Sequence, residues 1–333
     1  MTSPHDLLIF HDSYRRLAAR IHAIDPEICI SLMDGSGQLS VDGRPIELAQ
    51  TSATIGWANS DVFAWDRRGD YFRALLKSNT LRWVQSAAAG VDDPVFARLA
   101  AKDLVLTNSD AQAPAMADFV LGAVLDFFQE QARRRELQTA REWQRLTFTE
   151  LADTSWLIVG YGHIGREIAR RAHAFGAIVT GIRRQAQPDS FAQRVTTLEQ
   201  LSTCLPHADV VVLCCGLNEV TRDLADSEFF SAMKPASLLI NVGRGGLVDE
   251  TALLAGLQLD RPRRAVLDVF QAEPLPHDNP LWHHPQVHLS AHTSAFGSGN
   301  ARRGDELFLD NLARYVRGET LRNVVKAEDL RSV

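Results

Sequence analysis

The sequence predicts an α/β protein of two domains, each built on a parallel sheet, and three observations carry that reading. Short apolar runs alternate with helical patterns over the first third of the chain, and a second series of the same kind follows a long helical stretch. The chain has 333 residues with 45% hydrophobic content, more than a single core usually serves.

The first series places strands at Leu7 to Phe10, Cys29 to Leu32, Thr54 to Trp57, Leu81 to Gln85 and Leu104 to Thr107. Tyr14 to Ile24 shows a helical pattern between the first two. From Pro114 to about Arg145 the pattern predicts one long helix, apolar at Met116, Phe119, Val120, Ala123, Val124 and Phe127. It turns strongly charged at Arg133, Arg134, Arg135 and Glu136, as a connecting or interface helix would.

The second series predicts strand Trp156 to Val159, helix Ile164 to Phe175, strand Ile178 to Ile182, helix Leu198 to Cys204 and strand Val210 to Leu213. A helix near Ser227 to Met233 and strands Leu238 to Val242, Ala265 to Val269 and Val287 to Ser290 complete it. A last helix, Glu306 to Val316, is expected to stop at Gly318 and to return to the first domain. With no Pro-rich linker, the boundary should be a short hinge.

Composition excludes several function classes. A net charge of -6 gives no basic footprint for nucleic acid. Met1 to Phe10 lacks a leader pattern and no apolar run is long enough for a bilayer, so a cytoplasmic protein without a membrane partner is expected. Cys29, Cys204, Cys214 and Cys215 have no CxxC spacing, and Val210 to Cys215 reads as a buried strand. Reduced thiols with packing roles and no metal site follow.

Gly160-Tyr161-Gly162-His163-Ile164-Gly165 fits G-x-G-x-x-G between a predicted strand and helix. The first glycine permits a tight turn, the second lets backbone approach a pyrophosphate, and the third allows close helix packing. The helix N-terminus then offers unpaired amides to the phosphates. Where NAD-preferring sites carry a carboxylate after the next strand, this chain has Arg183 and Arg184. Two guanidinium groups suit a 2′-phosphate, so NADP is the preferred cofactor and NAD the second option.

Three later strand ends carry polar residues in distinctive frames: Asn241-Val242-Gly243-Arg244-Gly245-Gly246, Leu267-Asp268-Val269-Phe270-Gln271-Ala272-Glu273-Pro274 and Leu289-Ser290-Ala291-His292-Thr293-Ser294. With the glycine-rich turn before them, they make the chain resemble the D-isomer-specific 2-hydroxyacid dehydrogenases, glyoxylate/hydroxypyruvate reductases among them. Gly243-Arg244-Gly245, Glu273-Pro274-Leu275 and His292 match that family's Arg, Glu and His motifs in order. The likeness extends over essentially the whole chain, including Leu81 to Asp92 and the tail from Asn311-Leu312 to Asn323-Val324-Val325.

The resemblance implies two Rossmann-like or flavodoxin-like domains. A dinucleotide-binding domain, 108–296, is inserted into a discontinuous substrate domain, 1–107 and 297–333, and the substrate lies between them. It also implies a homodimer, with the long helix after Pro114 packing on its twin. For the cofactor it points to Gly160 through Gly165, Arg183, Arg184, Cys215, Gly216, Thr221, Val242, Gly243, Arg244, Asp268 and His292. Asp268 is expected near the carboxamide. For the substrate it points to Ala88, Ala89, Gly90, Arg244 and His292. The segment Gln85 to Asp92 resembles the substrate-carboxylate loop, with Ala88 where the family commonly has Gly, so that a methyl group narrows the pocket or shifts the loop. Cys215-Gly216-Leu217 replaces a loop that often contains proline.

The chemistry calls for these residue types in its own right. Hydride addition to a ketone carbon builds negative charge on oxygen, which a proton donor such as His292 relieves. Glu273 beside it favours the imidazolium form and orients the ring. Arg244 can hold a carboxylate and polarise the carbonyl through its planar fork. The expected reaction is NAD(P)H-dependent reduction of glyoxylate, hydroxypyruvate or a related 2-oxo acid to the D-2-hydroxy acid. A nucleotide-sensing corepressor on the same fold is the alternative from another class. A formate dehydrogenase is a further one, although that branch carries Gln in place of the Glu.

Overall fold

The computed structural model describes residues 5–326 and Leu330; residues 1–4, 327–329 and 331–333, at the outer ends of the expected first domain, lie outside them. The chain divides into two compact units, one running to Ala111 and resuming at Ser298, the other spanning Gln112–Gly297.

The first unit holds strands β1 (Asp6–Phe10), β2 (Cys29–Met33), β3 (Leu39–Val41), β4 (Arg44–Ile46), β5 (Ile55–Ala58), β6 (Trp83–Ser86) and β7 (Val105–Thr107). Their order is β4-β3-β2-β1-β5-β6-β7, and all neighbours from β2 to β7 pair in parallel. Buried on both faces, β1 and β5 read as nearly continuous apolar runs rather than alternating ones, while β6 buries the polar Gln85 and Ser86 as well. The antiparallel hairpin β3–β4 at the edge is an addition to the sequence reading. Asp42 and Gly43 both take positive φ at its turn, 50° and 72°, the geometry that an Asp-Gly pair favours. Pro45 sits on the outermost strand, where a missing N–H costs no ladder bond.

Helix Asn300–Val316 begins six residues earlier than its sequence pattern suggests and is followed by Gly318 at φ 68°. It packs in the first unit through a stack in which Phe308 lies 4.9 Å from Trp57 and 5.9 Å from Trp83. Arg16 of helix His11–Ile24 reaches both Asp61 (2.8 Å) and Asp305 (3.3 Å), tying the two helices together.

The second unit holds β8 (Ser155–Val159), β9 (Ile178–Ile182), β10 (Arg194–Thr196), β11 (Val210–Leu213), β12 (Leu238–Asn241), β13 (Arg264–Leu267) and β14 (Val287–Leu289). All pair in parallel in the order β10-β9-β8-β11-β12-β13-β14. The order reverses between β8 and β11, and in such sheets ligands bind at the carboxyl ends of the strands flanking that reversal.

The expected single helix from Pro114 to about Arg145 is two helices, Ala113–Phe128 and Gln131–Ala140, with Glu130 in the left-handed region at φ 51° between them. The reason lies in the pattern. The apolar face that packs on helix His163–Ala174 runs through Met116, Val120 and Val124, whereas Leu137 alone is buried in the second helix. Arg141 adopts φ 58°, and residues 142–150 follow without regular structure. The predicted helix Leu198 to Cys204 is a string of short turns, its α-helical part only Leu201–Cys204. Strand β11 stops at Leu213, so Cys214 and Cys215 lie past its end and are only half-buried.

Candidate active site

The glycine-rich turn leaves β8 at its carboxyl end and opens helix His163–Ala174. Gly160 adopts φ 103°, and a Cβ there would lie 2.4 Å from the Cys215 amide nitrogen. The β8 and β11 ends can therefore meet backbone to backbone only with glycine at this position. At Gly165 a Cβ would lie 2.5 Å from the Gly160 carbonyl oxygen, so the third glycine lets the helix sit on its own turn. Gly162 and His163 are exposed, with open space where a Cβ would project from Gly162. A cradle of this shape, at the N-terminus of a twelve-residue helix, fits a pyrophosphate. Arg183 and Arg184 are exposed directly after β9.

Beyond β11, burial pushes the Cys215 thiol up to about 11 and the Cys214 thiol higher still, so both are poor nucleophiles. The loop that follows is closed on itself, since Thr221 Oγ1 donates to the Gly216 carbonyl at 2.8 Å and accepts from the Asn218 amide at 2.9 Å. Val242 and Gly243 are buried; a Cβ on Gly243 would lie 2.8 Å from the Cys215 carbonyl oxygen.

Three loops at the ends of β12, β13 and β14 carry Arg244, Glu273 and His292. Asn241 organises the first, its side chain accepting from the Gly243 amide (3.0 Å) and donating to the Arg244 carbonyl (2.9 Å). In the second, Glu273 Oε1 accepts from the Phe270 amide at 3.0 Å. Its Oε2 accepts from His292 Nδ1 at 2.7 Å. His292 is presented at φ 53°, and its amide donates to the Asp268 carbonyl at 2.8 Å. An imidazole held through Nδ1 by a carboxylate turns Nε2 outward as the proton-donating atom.

Over residues 121–294 the chain matches the family model for the D-isomer specific 2-hydroxyacid dehydrogenase, NAD binding domain. The chain belongs to the D-isomer specific 2-hydroxyacid dehydrogenase family. It is 31% identical over 261 residues to glyoxylate/hydroxypyruvate reductase B of Citrobacter koseri, covering 76% of this chain and 81% of that one. It is 28% identical to the D-3-phosphoglycerate dehydrogenase of Methanocaldococcus jannaschii, where the match covers 77% of this chain but only 49% of the relative. A crystal structure of a D-isomer specific 2-hydroxyacid dehydrogenase family protein from Aeromonas salmonicida superimposes with a TM-score of 0.79 at 31% identity. That superposition covers 97% of this chain and 99% of the other. The α/β fold, the oxidoreductase class and the NAD(P) cofactor type agree with the family.

Within this family member, several contacts that hold the site have no signal in the sequence, and Glu250 was not singled out from it at all. Gly245 is the tightest: a Cβ there would lie 1.9 Å from the Phe270 carbonyl carbon and oxygen. The Arg244 loop thus abuts the backbone of the Glu273 loop. Glu250 accepts from the Gln271 amide and from Asn279 Nδ2, both at 3.0 Å, pinning the Glu273 loop from the far side. Asp268, expected near the carboxamide, is fully buried. Its Oδ1 accepts from Ser290 Oγ (2.6 Å) and the Thr293 amide (2.8 Å), and its Oδ2 from the Ser294 amide (3.1 Å). This carboxylate shapes the loop that presents His292.

In the first unit, Ala88, Ala89 and Gly90 follow β6 and are half-buried. Ser86 Oγ accepts from the Ala88 amide at 3.0 Å, so that amide is engaged within the loop rather than offered to an anion. The loop is held by Asn108 Nδ2 on the Ala89 carbonyl (2.7 Å) and the Ser109 amide on the Ala88 carbonyl (3.0 Å).

Proposed function

We propose that this enzyme reduces glyoxylate, hydroxypyruvate or a similarly small 2-oxo acid to its D-2-hydroxy acid, with NADPH as the preferred reductant. The observation that carries the reading is the Glu273–His292 pair at 2.7 Å, set on the strand-end loops of a doubly wound sheet that also carries the glycine-rich turn. The likeness to glyoxylate/hydroxypyruvate reductase B supports the substrate class.

In the balanced reaction the 2-oxo acid, NADPH and one proton give the 2-hydroxy acid and NADP⁺. When bound, the dinucleotide supplies the hydride. Gly160 to Gly165 would hold its pyrophosphate, and Arg183 with Arg184 would hold the 2′-phosphate through charge-assisted bonds. Cys215, Gly216, Thr221, Val242, Gly243 and Asp268 form or support the wall beyond β11, β12 and β13. His292 delivers its Nε2 proton to the carbonyl oxygen as negative charge grows there. Glu273 holds the ring by Nδ1 and balances the imidazolium charge. Arg244 grips the substrate carboxylate and polarises the ketone. Ala89 and Gly90, in a loop that Ala88 shapes through the hydrogen bond of its amide to Ser86, belong to the substrate's carboxylate loop, which makes the outer segments, 1–107 and 297–333, the substrate domain and 108–296 the dinucleotide domain.

We assign a cytoplasmic homodimer. Trp143 is 98% exposed and Phe148 52% exposed on the irregular segment after helix Gln131–Ala140, apolar surface that a second copy would cover. Light scattering in solution tests the dimer. Among the described residues no helix is long and apolar enough to cross a membrane.

The test is the rate of NADPH and NADH consumption with a panel of 2-oxo acids of increasing size. Rapid turnover of the smallest acids with NADPH is the expected result. Failure of every acid with either cofactor would leave a binding role on this fold instead.

A further inference from the structure

Between β9 and β10 the chain runs from Arg183 to Gln193, and Asp189 ties this loop back to the glycine-rich turn. Tyr161, the second residue of that turn, is buried, and its ring fills the space above Gly181, where a Cβ would lie 2.3 Å from the ring. The Tyr161 hydroxyl donates to Asp189 Oδ1 at 2.9 Å. The same oxygen accepts from the Phe191 amide at 2.9 Å, and Arg166 Nε donates to Oδ2 at 2.6 Å. The Arg166 guanidinium also lies 4.9 Å over the Phe191 ring. Arg166 belongs to the first turn of helix His163–Ala174, so the knot joins turn, helix and loop.

Burial disfavours the Asp189 carboxylate. Arg166, the Phe191 amide and the Tyr161 hydroxyl outweigh that and hold it below the usual carboxylate range. Burial, reinforced by Asp189, pushes the Tyr161 hydroxyl far up, so it remains a donor at any working pH. Near neutrality, then, the carboxylate stays charged and the hydroxyl keeps its proton.

We infer that Asp189 is a positioning residue for cofactor choice: it anchors the loop whose first residues, Arg183 and Arg184, meet the 2′-phosphate. This rests on the proposed role of those two arginines. The physical ground is ordering cost. A loop already fixed at its far end loses less freedom when the arginines close on a phosphate. NADH presents no 2′-phosphate and gains nothing from that fixation. Asp189 itself stays off the phosphate, its charge being met by Arg166.

The experiment measures dissociation constants of NADPH and NADH by nicotinamide fluorescence, free of substrate, for the wild type, Asp189→Ala and Asp189→Asn. Asp189→Ala should weaken NADPH by about tenfold and leave NADH nearly unchanged. Asp189→Asn, which still accepts from Tyr161 and Phe191, should recover part of the loss. Equal weakening of both cofactors, or no change in either, overturns the inference while leaving the arginine reading intact. A wild type that binds NADPH no more tightly than NADH removes the arginine reading and this inference with it.

Discussion

Replacing Gly245 by alanine puts a methyl carbon where the Phe270 peptide already stands. The new Cβ would lie 1.9 Å from the Phe270 carbonyl carbon and oxygen and 2.5 Å from the Gln271 nitrogen. Ordinary contact begins near 3.4 Å, so the two loops must separate by about 1.5 Å (3.4 minus 1.9). All the blocking atoms are backbone, and no side-chain rotation relieves them. One of these loops carries Arg244 and the other Glu273, whose carboxylate holds His292. A misplacement of about 1 Å can lower a rate by roughly 100-fold. Overpacking of this kind costs about 1–3 kcal/mol, which for a unit of this size lowers the melting midpoint by roughly 2–12 °C. The assay is steady-state NADPH consumption with glyoxylate, paired with a thermal melt. We expect kcat to fall about 100-fold in a protein that still folds. Gly69→Ala, on the exposed first turn of helix Arg68–Lys77 in the first unit, is the control, because nothing lies within 4 Å of its Cβ position. It should leave kcat and the melting midpoint nearly unchanged. A Gly245→Ala enzyme with wild-type kcat would refute the claim that these loops are positioned against one another.

Asp268→Ala removes the acceptor for Ser290 Oγ and for the Thr293 and Ser294 amides. The buried Ser294 amide left unpaired costs about 1–3 kcal/mol, and the half-buried Ser290 hydroxyl and the exposed Thr293 less, so calorimetry should show a clear loss of stability and kinetics a loss of kcat. Arg183→Asp combined with Arg184→Ala should shift cofactor preference toward NADH by more than about tenfold, read as the ratio of kcat/KM values. An unchanged ratio removes the phosphate clamp. Burial raises the Cys215 thiol to about 11 from the ordinary 9.0. Its thiolate fraction near neutral pH is then about 100-fold below that of a free thiol. Iodoacetamide labelling of Cys215, followed by mass spectrometry, should be slow at neutral pH and accelerate as pH rises toward 11. Fast labelling at neutral pH contradicts the raised thiol.

Much of the fold was legible because parallel strands buried on both faces announce themselves as unbroken apolar runs, as Leu7 to Phe10 and Val210 to Leu213 do. The hairpin β3–β4 was not, since its strands have three residues each and carry little apolar pattern, although Asp42-Gly43 was a usable turn signal. The break at Glu130 escaped because Gln129 to Glu136 favours helix by local propensity. Only the end of the apolar face marks the interruption. At the site, Arg244, Glu273 and His292 stand in frames distinctive enough to notice. What surrounds them does not. The contacts of Gly245 with Phe270, Glu250 with Asn279 and Asp268 with Ser290 join separate segments and have no local signature. The same holds for Asp189, which sequence alone shows only as a carboxylate after a proline in a polar loop.

Whether His292 is the proton donor is the question on which the mechanism turns, and the His292→Ala enzyme answers it when NADPH oxidation by glyoxylate is followed beside NADPH binding. The account predicts a fall in kcat of about 100- to 10,000-fold with the NADPH dissociation constant changed far less. Turnover that survives the substitution at the wild-type rate would contradict it.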